Sequence, residues 1–294
     1  MSNISTPDST AEFSRLEEPK DILINSALID CEDDNLDVHR LVQTAFLHHL
    51  DEEQRNRGFN AACNLLYQAF PKQLFGRPLV GEWPTCLRYA PHVKFIADRY
   101  EEFQPSLRAN DDFVNLISNC AWYLQEIGET SDCTKLVMIA KDACSDKTSF
   151  IYSHLENTLG CCAMELNNLS LCRQCLESSL DIRRRILPKD DEDLLCTMNN
   201  YANLQNSIGD HEGSLKLYEE VRIVRESMGE ETAGTLALTY MGIGQAQVKL
   251  ENFVDAEAAY DKAWKIMVKQ FGDDGHYIAQ YEQHLLPQFM GSLI

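Results

Sequence analysis

At 294 residues, 44% of them hydrophobic and 24% charged, the chain has room for one to three domains and the composition of an ordinary soluble protein. Its net charge of −20 repels nucleic-acid phosphates and anionic head groups, so neither nucleic acid nor membrane is expected as a partner. No apolar run approaches the roughly 20 residues of a transmembrane helix, and residues 1–15 lack the apolar centre of a secretory signal.

Residues 1–19 are rich in Ser, Thr, Asp and Glu without periodicity, and are expected to be a disordered tail. Ile22 to Ile29 form a short apolar helix or strand. Cys31 to Asn35 read as a polar turn, and Leu36-Asp37-Val38 alternates like a strand. From His39 to Leu50, the residues Leu41, Val42, Ala45, Phe46 and Leu50 share one helical face. A further helix over 52–70 ends at Pro71. Residues 20–70 therefore read as a small winged-helix-like unit. Residues 71–111 read as a helical linker: a loop with Gly76, Pro78 and Gly81, then a helix opened by Trp83-Pro84 and kinked at Pro91.

Residues 112–271 carry a repeat. Small residues fall at Cys133, Cys172, Ser214 and Ala256, with periods of 172−133=39, 214−172=42 and 256−214=42. Twelve residues before each stand Ala121, Gly160, Ala202 and Gly244, and four after stand Val137, Leu176, Tyr218 and Tyr260. Such columns mark a solenoid of about four helical hairpins, the small residues allowing close helix crossing. In the last unit Ala256, Ala259, Tyr260, Ala263, Trp264 and Met267 follow helical spacing, while Gly128 and Gly209 stand where the first helix of a hairpin must stop. The expected fold class is all-α: an α-solenoid preceded by the winged-helix-like unit. Residues 272–294 are expected to form a capping helix and tail.

The period, the small–small–aromatic columns and Asn200-Tyr201-Ala202-Asn203-Leu204 resemble tetratricopeptide repeats of the kinesin-light-chain-like type. Leu36-Asp37-Val38-His39-Arg40-Leu41-Val42-Gln43 is similar to the winged-helix end of the nucleotide-switch module of STAND NTPases, with His39 matching the sensing His and Arg40 replacing the usual Asp. Together with Phe70-Pro71, Trp83, Cys86, Tyr89 to Val93 and Trp122 to Leu124, these residues resemble the C-terminal half of fungal NB-ARC or NACHT proteins that end in such repeats. That resemblance implies a truncated regulatory partner of a STAND NTPase, acting in trans. No phosphate-binding Gly-rich loop is present, so no nucleotide or other cofactor is expected.

The chemistry-bearing residues make no catalytic constellation. There is no Gly-x-Ser-x-Gly elbow, and adjacent His48 and His49 point to different sides of a helix. Cys172-x-x-Cys175 has metal-pair spacing but no second pair, so no metal is expected, and the eleven cysteines read as buried thiols of a cytoplasmic protein. Asp181 to Arg185, followed by Lys189 to Asp193, reads as a solvated corner between repeats. Counting from the small columns, the first helix of each hairpin lines a groove with Asn115, Asn119, Trp122, Asn157, Asn199, Asn200, Asn203, Asn206 and Gln245. An amide both donates and accepts hydrogen bonds, so a row of them can hold an extended peptide backbone. In kinesin-light-chain-like repeats, Asn at such positions contacts bound peptide. The expected function is a non-enzymatic scaffold for a protein or peptide partner. The residues do not specify an oligomeric state.

Overall fold

The computed structural model describes residues 29–32, 35–38, 49–74 and 79–271. The expectations for the tail at 1–19, for His39 and Arg40, for Gly76 and Pro78, and for the cap at 272–294 lie outside the described residues. The chain divides into two compact units, Met1–Gly58 and Phe59–Ile294. In the first, β1 (Ile29–Glu32) pairs antiparallel with β2 (Asn35–Val38), Ile29 opposite Val38. The alternation at Leu36 to Val38 thus corresponds to a strand.

Helix α1 (Glu52–Ala69) begins in the first unit and runs into the second. There follow α2 (Trp83–Glu102), α3 (Asp111–Glu126), α4 (Thr130–Ala143), α5 (Phe150–Glu165), α6 (Leu169–Ile186), α7 (Glu192–Ser207), α8 (His211–Met228), α9 (Ala233–Lys249) and α10 (Phe253–Phe271). Helix α2 is a single helix with Pro91 inside it, where sequence favours a kink. Proline there removes one backbone donor.

Helices α3 to α10 pack as four successive hairpins, each second helix also meeting the first helix of the next. The turn inside every hairpin is set by one residue at left-handed φ: Gly128 (79°), Asn167 (55°), Gly209 (91°) and Glu251 (62°). Each lies five residues before the small column (133−128=5, 256−251=5). The amide after each of these residues bonds back to the first helix, as in Glu129 N to Leu124 O (2.8 Å) and Asn252 N to Gln247 O (2.9 Å). That closes the orphan carbonyls of the first helix. Asn168 and Asp210 then cap the second helix through the amides of Leu171 and Gly213.

The small columns mark close contacts. A Cβ on Gly160 would stand 2.8 Å from the Leu176 side chain, and one on Gly244 would stand 2.7 Å from the Tyr260 ring. Cys133 and Ser214 use the same proximity to donate to the carbonyls of Ala121 (3.1 Å) and Ala202 (2.8 Å). On α10, Ala256, Ala259, Ala263 and Met267 are buried, whereas Trp264 is exposed. The expected solvated corner needs correction. Arg184 and Arg185 are exposed, but Arg183 is fully buried, because it continues the inward face of Leu176 and Ser179.

Candidate functional site

One stripe recurs on the first helices of the hairpins. Two residues before the second small column stand Asn119, Thr158, Asn200 and Gly242, and one after it Trp122, Cys161, Asn203 and Gln245. Five after it stand Glu126, Glu165, Ser207 and Lys249. These positions are about one helical turn apart, so they share a face.

On α3 this face is occupied by the chain itself. Gln73 N donates to Asn119 Oδ1 at 2.7 Å, while Asn119 Nδ2 donates to the Asn115 carbonyl at 2.7 Å. Asn115 in turn donates to the Asp111 carbonyl. Leu79 N donates to both oxygens of Glu126, at 2.8 and 3.0 Å. The indoles of Trp83 (2.9 Å) and Trp122 (2.5 Å) donate to the same carboxylate. Burial pushes the Glu126 carboxyl up to about 6, opposed by the N–H donors of Trp83, Leu79 and Trp122. Trp122 also stacks on His154, with centroids 5.2 Å apart. Burial, and then the neighbouring Arg183, pull that imidazole down to about 3.

Across α5, α7 and α9 the stripe faces a cavity at Cys161, Glu165, Asn200, Asn203, Ser207 and Lys249, while Thr158, Gly242 and Gln245 are buried. A cavity of about 730 Å³ is lined by Cys161, Met164 and Glu165, by Asn200, Asn203 and Asn206, and by Ile208, His211 and Lys249 among others. Asn200 Nδ2 donates to Asn157 Oδ1 at 3.1 Å and to Cys161 Sγ at 3.4 Å. Its Oδ1 has no hydrogen bond among the described residues. Asn203 accepts from the Tyr218 hydroxyl, and Asn206 Oδ1 lies 2.6 Å from His211 Nδ1.

Of the amides singled out in the sequence, Asn200, Asn203 and Asn206 thus meet in one cavity. Asn119 and Trp122 meet on α3 around the chain's own backbone. Asn157 is buried beneath Asn200, its Nδ2 without a partner. Asn199 is buried too and does not line the cavity, and neither does Gln245. Glu126, Glu165, Lys249 and His211 carry no amide and so escape an amide pattern. Glu126 is nonetheless marked in the sequence as the residue seven after Asn119 and four after Trp122. Among the described residues, no three His, Cys, Asp or Glu side chains gather as for a metal ion, and no helix is long and apolar enough to cross a membrane.

No protein-family model and no curated protein matches this chain. Solved structures do match in fold. BtubC (BKLC) from P. vanneervenii is 15% identical, with a TM-score of 0.53 over 76% of this chain and 93% of that one. A point-substituted form of a Podosopora anserina kinesin-light-chain protein with nearly identical TPR-like repeats is 11% identical, with a TM-score of 0.52 over 76% and 99%. The fold is therefore that of a tetratricopeptide-type helical solenoid. Its neighbours are kinesin-light-chain-like repeat proteins, a likeness of fold rather than of ligand.

Proposed function

We propose that the protein is a non-enzymatic, cytoplasmic interaction scaffold whose groove across α5, α7 and α9 holds an extended segment of a protein partner. The observation that carries this reading is the 2.7 Å bond from the Gln73 backbone N–H to Asn119 Oδ1. It is an instance, within the chain, of an amide on this stripe taking a peptide backbone N–H. Asn200 repeats the position of Asn119 beside an open cavity. The amides of Asn200, Asn203 and Asn206 would hold the guest backbone, with neighbouring side chains selecting it.

A random peptide display library, panned on the protein, tests the reading. Clones that bind wild type and are lost on a folded Asn200→Ala/Asn203→Ala variant support it. Clones indifferent to those substitutions would place recognition elsewhere and end it.

The β1–β2 hairpin supports a second reading, in which residues 20–70 are the winged-helix end of a STAND-type switch protein of fungal type and the partner is a STAND NTPase. A purified NTPase of that class that fails to co-elute with the full chain, with and without ATP, would remove it.

A further inference from the structure

Two amides in the lining of the groove cavity are pinned by their oxygens. Asn203 Oδ1 accepts from the Tyr218 hydroxyl, and Asn206 Oδ1 accepts from His211 Nδ1–H at 2.6 Å. That leaves each Nδ2 as the free donor of a residue lining the cavity, with no hydrogen bond among the described residues. Asn206 is only 7% exposed, and the N–H groups of an amide so buried are normally satisfied. The two residues stand three apart on α7, so they share a face with about 5–6 Å between their Cβ atoms. Successive carbonyls on one side of an extended chain are two residues, about 7 Å, apart and match that step poorly. The two oxygens of one carboxylate can take both donors, in bonds strengthened by charge. A primary amide offers one oxygen, and its NH2 group would face the second donor.

We infer that Asn203 and Asn206 together form a receptor for one carboxylate, and that the segment held in the groove is anchored there by an Asp or Glu side chain. This rests on the peptide-groove reading above and narrows it: Asn200 Oδ1 takes a backbone N–H of the guest, while Asn203 and Asn206 read a side chain. The charge of the site admits an anion. The cavity is lined by one acid, Glu165 from α5, and one base, Lys249 from α9, which cancel within a protein of −20. The two helices flank α7. The Glu165 oxygens already accept from Gln125 Nε2 at 3.2 Å and Thr130 Oγ1 at 2.6 Å, so that carboxylate is tied to the first hairpin and not offered to the guest. Met164, Leu169 and Ile208 supply the apolar part of the same lining. The guest residue is therefore acidic with apolar neighbours.

The test pans a random peptide library, displayed with its C-terminus fused, on the full chain. Enriched clones should share an Asp or Glu at one position. The leading clone is then made as an end-capped, fluorescein-labelled peptide and titrated by fluorescence anisotropy. Replacing its acid by the matching amide should weaken binding about tenfold. Asn203→Asp/Asn206→Asp keeps the oxygens that serve Tyr218 and His211 and exchanges both NH2 groups for oxygen. This variant, first checked by circular dichroism for an unchanged fold, should bind the acidic peptide about tenfold more weakly and the amide form within about threefold of wild type. Freeing the C-terminus of the peptide should change its affinity less than about twofold, because the side chain is the anchor. Clones without an acid preference that are nonetheless lost on Asn200→Ala/Asn203→Ala overturn this inference and leave the groove reading standing. So does equal weakening of the acidic and amide peptides by the Asp pair, or binding that needs a free C-terminus. Clones indifferent to all three amides, or a library that yields no binder, end both readings.

Discussion

Arg225 repeats, 42 residues on (225−183=42), the placement of Arg183. Each guanidinium is 1% exposed. Each Nη1 reaches the carbonyl ten residues ahead, Asp193 or Thr235, and the hydroxyl fourteen ahead, Thr197 or Thr239, both hydroxyl bonds at 2.7 Å. Each thereby ties the second helix of one hairpin to the first helix of the next. Arg225 also pairs with Glu192 at 2.7 Å, whereas Arg183 stands 4.0 Å from Asp193.

Arg225→Ala should therefore cost more than Arg183→Ala. It strands a buried carboxylate as well as the Thr235 carbonyl, a loss of about 3–5 kcal/mol. Arg225→Lys should recover little, since an ammonium cannot reproduce the forked geometry. Urea denaturation midpoints of the three variants check this order.

Gly160→Ala should destabilise the protein by about 1–2 kcal/mol, the overpacking against Leu176 exceeding the gain in helix propensity. Gly58→Ala, in α1 with nothing within 4 Å, should stabilise by about 0.5–1 kcal/mol. Opposite shifts in melting temperature are the expected readout.

Two buried groups give stability opposite slopes on the acid side. The Glu126 carboxyl lies above its ordinary value, so the folded state holds its proton longer and its contribution falls as pH rises from the ordinary carboxylate value to about 6. His154 lies below its ordinary value, so its contribution is lost as pH falls from about 6.5 toward about 3. Each slope approaches about 1.4 kcal/mol per pH unit at most, and the two partly cancel near pH 5. Glu126→Gln should steepen the acid loss of stability and His154→Asn should flatten it. Denaturation at about pH 4.5, 5.5 and 7, which covers the Glu126 titration and the upper part of that of His154, measures the two slopes.

Asn119→Ala should speed amide hydrogen exchange at Gln73 while costing only about 1 kcal/mol of global stability, because one acceptor for one amide is removed. An unchanged Gln73 exchange rate would contradict the Gln73–Asn119 contact.

The hairpins are legible in the sequence because close helix crossings demand small residues, and Gly160 and Gly244 reveal that demand at a fixed period. The left-handed turns are half legible. Gly128 and Gly209 announce themselves, whereas Asn167 and Glu251 adopt the same conformation without glycine. Arg183 misleads because a run of arginines followed by acids looks solvated. Its 42-residue match to Arg225 is the signal that points inward. The amides of the groove are legible as types, but their partners are not. Whether an Asn faces a cavity, like Asn200, or is buried away from it, like Asn199, turns on one residue of helical phase. The occupation of the α3 face by a segment 46 positions earlier depends on a long-range contact that no local pattern records.

The guanidinium ties stand at only two seams. At the corresponding position of the first hairpin, eleven residues after the small column, is the buried Cys144 (133+11=144), and of the last is the apolar Met267 (256+11=267). Under mechanical tension the array is thus not a uniform spring. The seams on either side of the α7–α8 hairpin are riveted by buried polar bonds that must break together, while α10 is held by apolar contact and the exposed Lys269–Glu230 pair and yields first. A load applied through a guest seated on α5, α7 and α9 would pull on the stiffest part of the molecule.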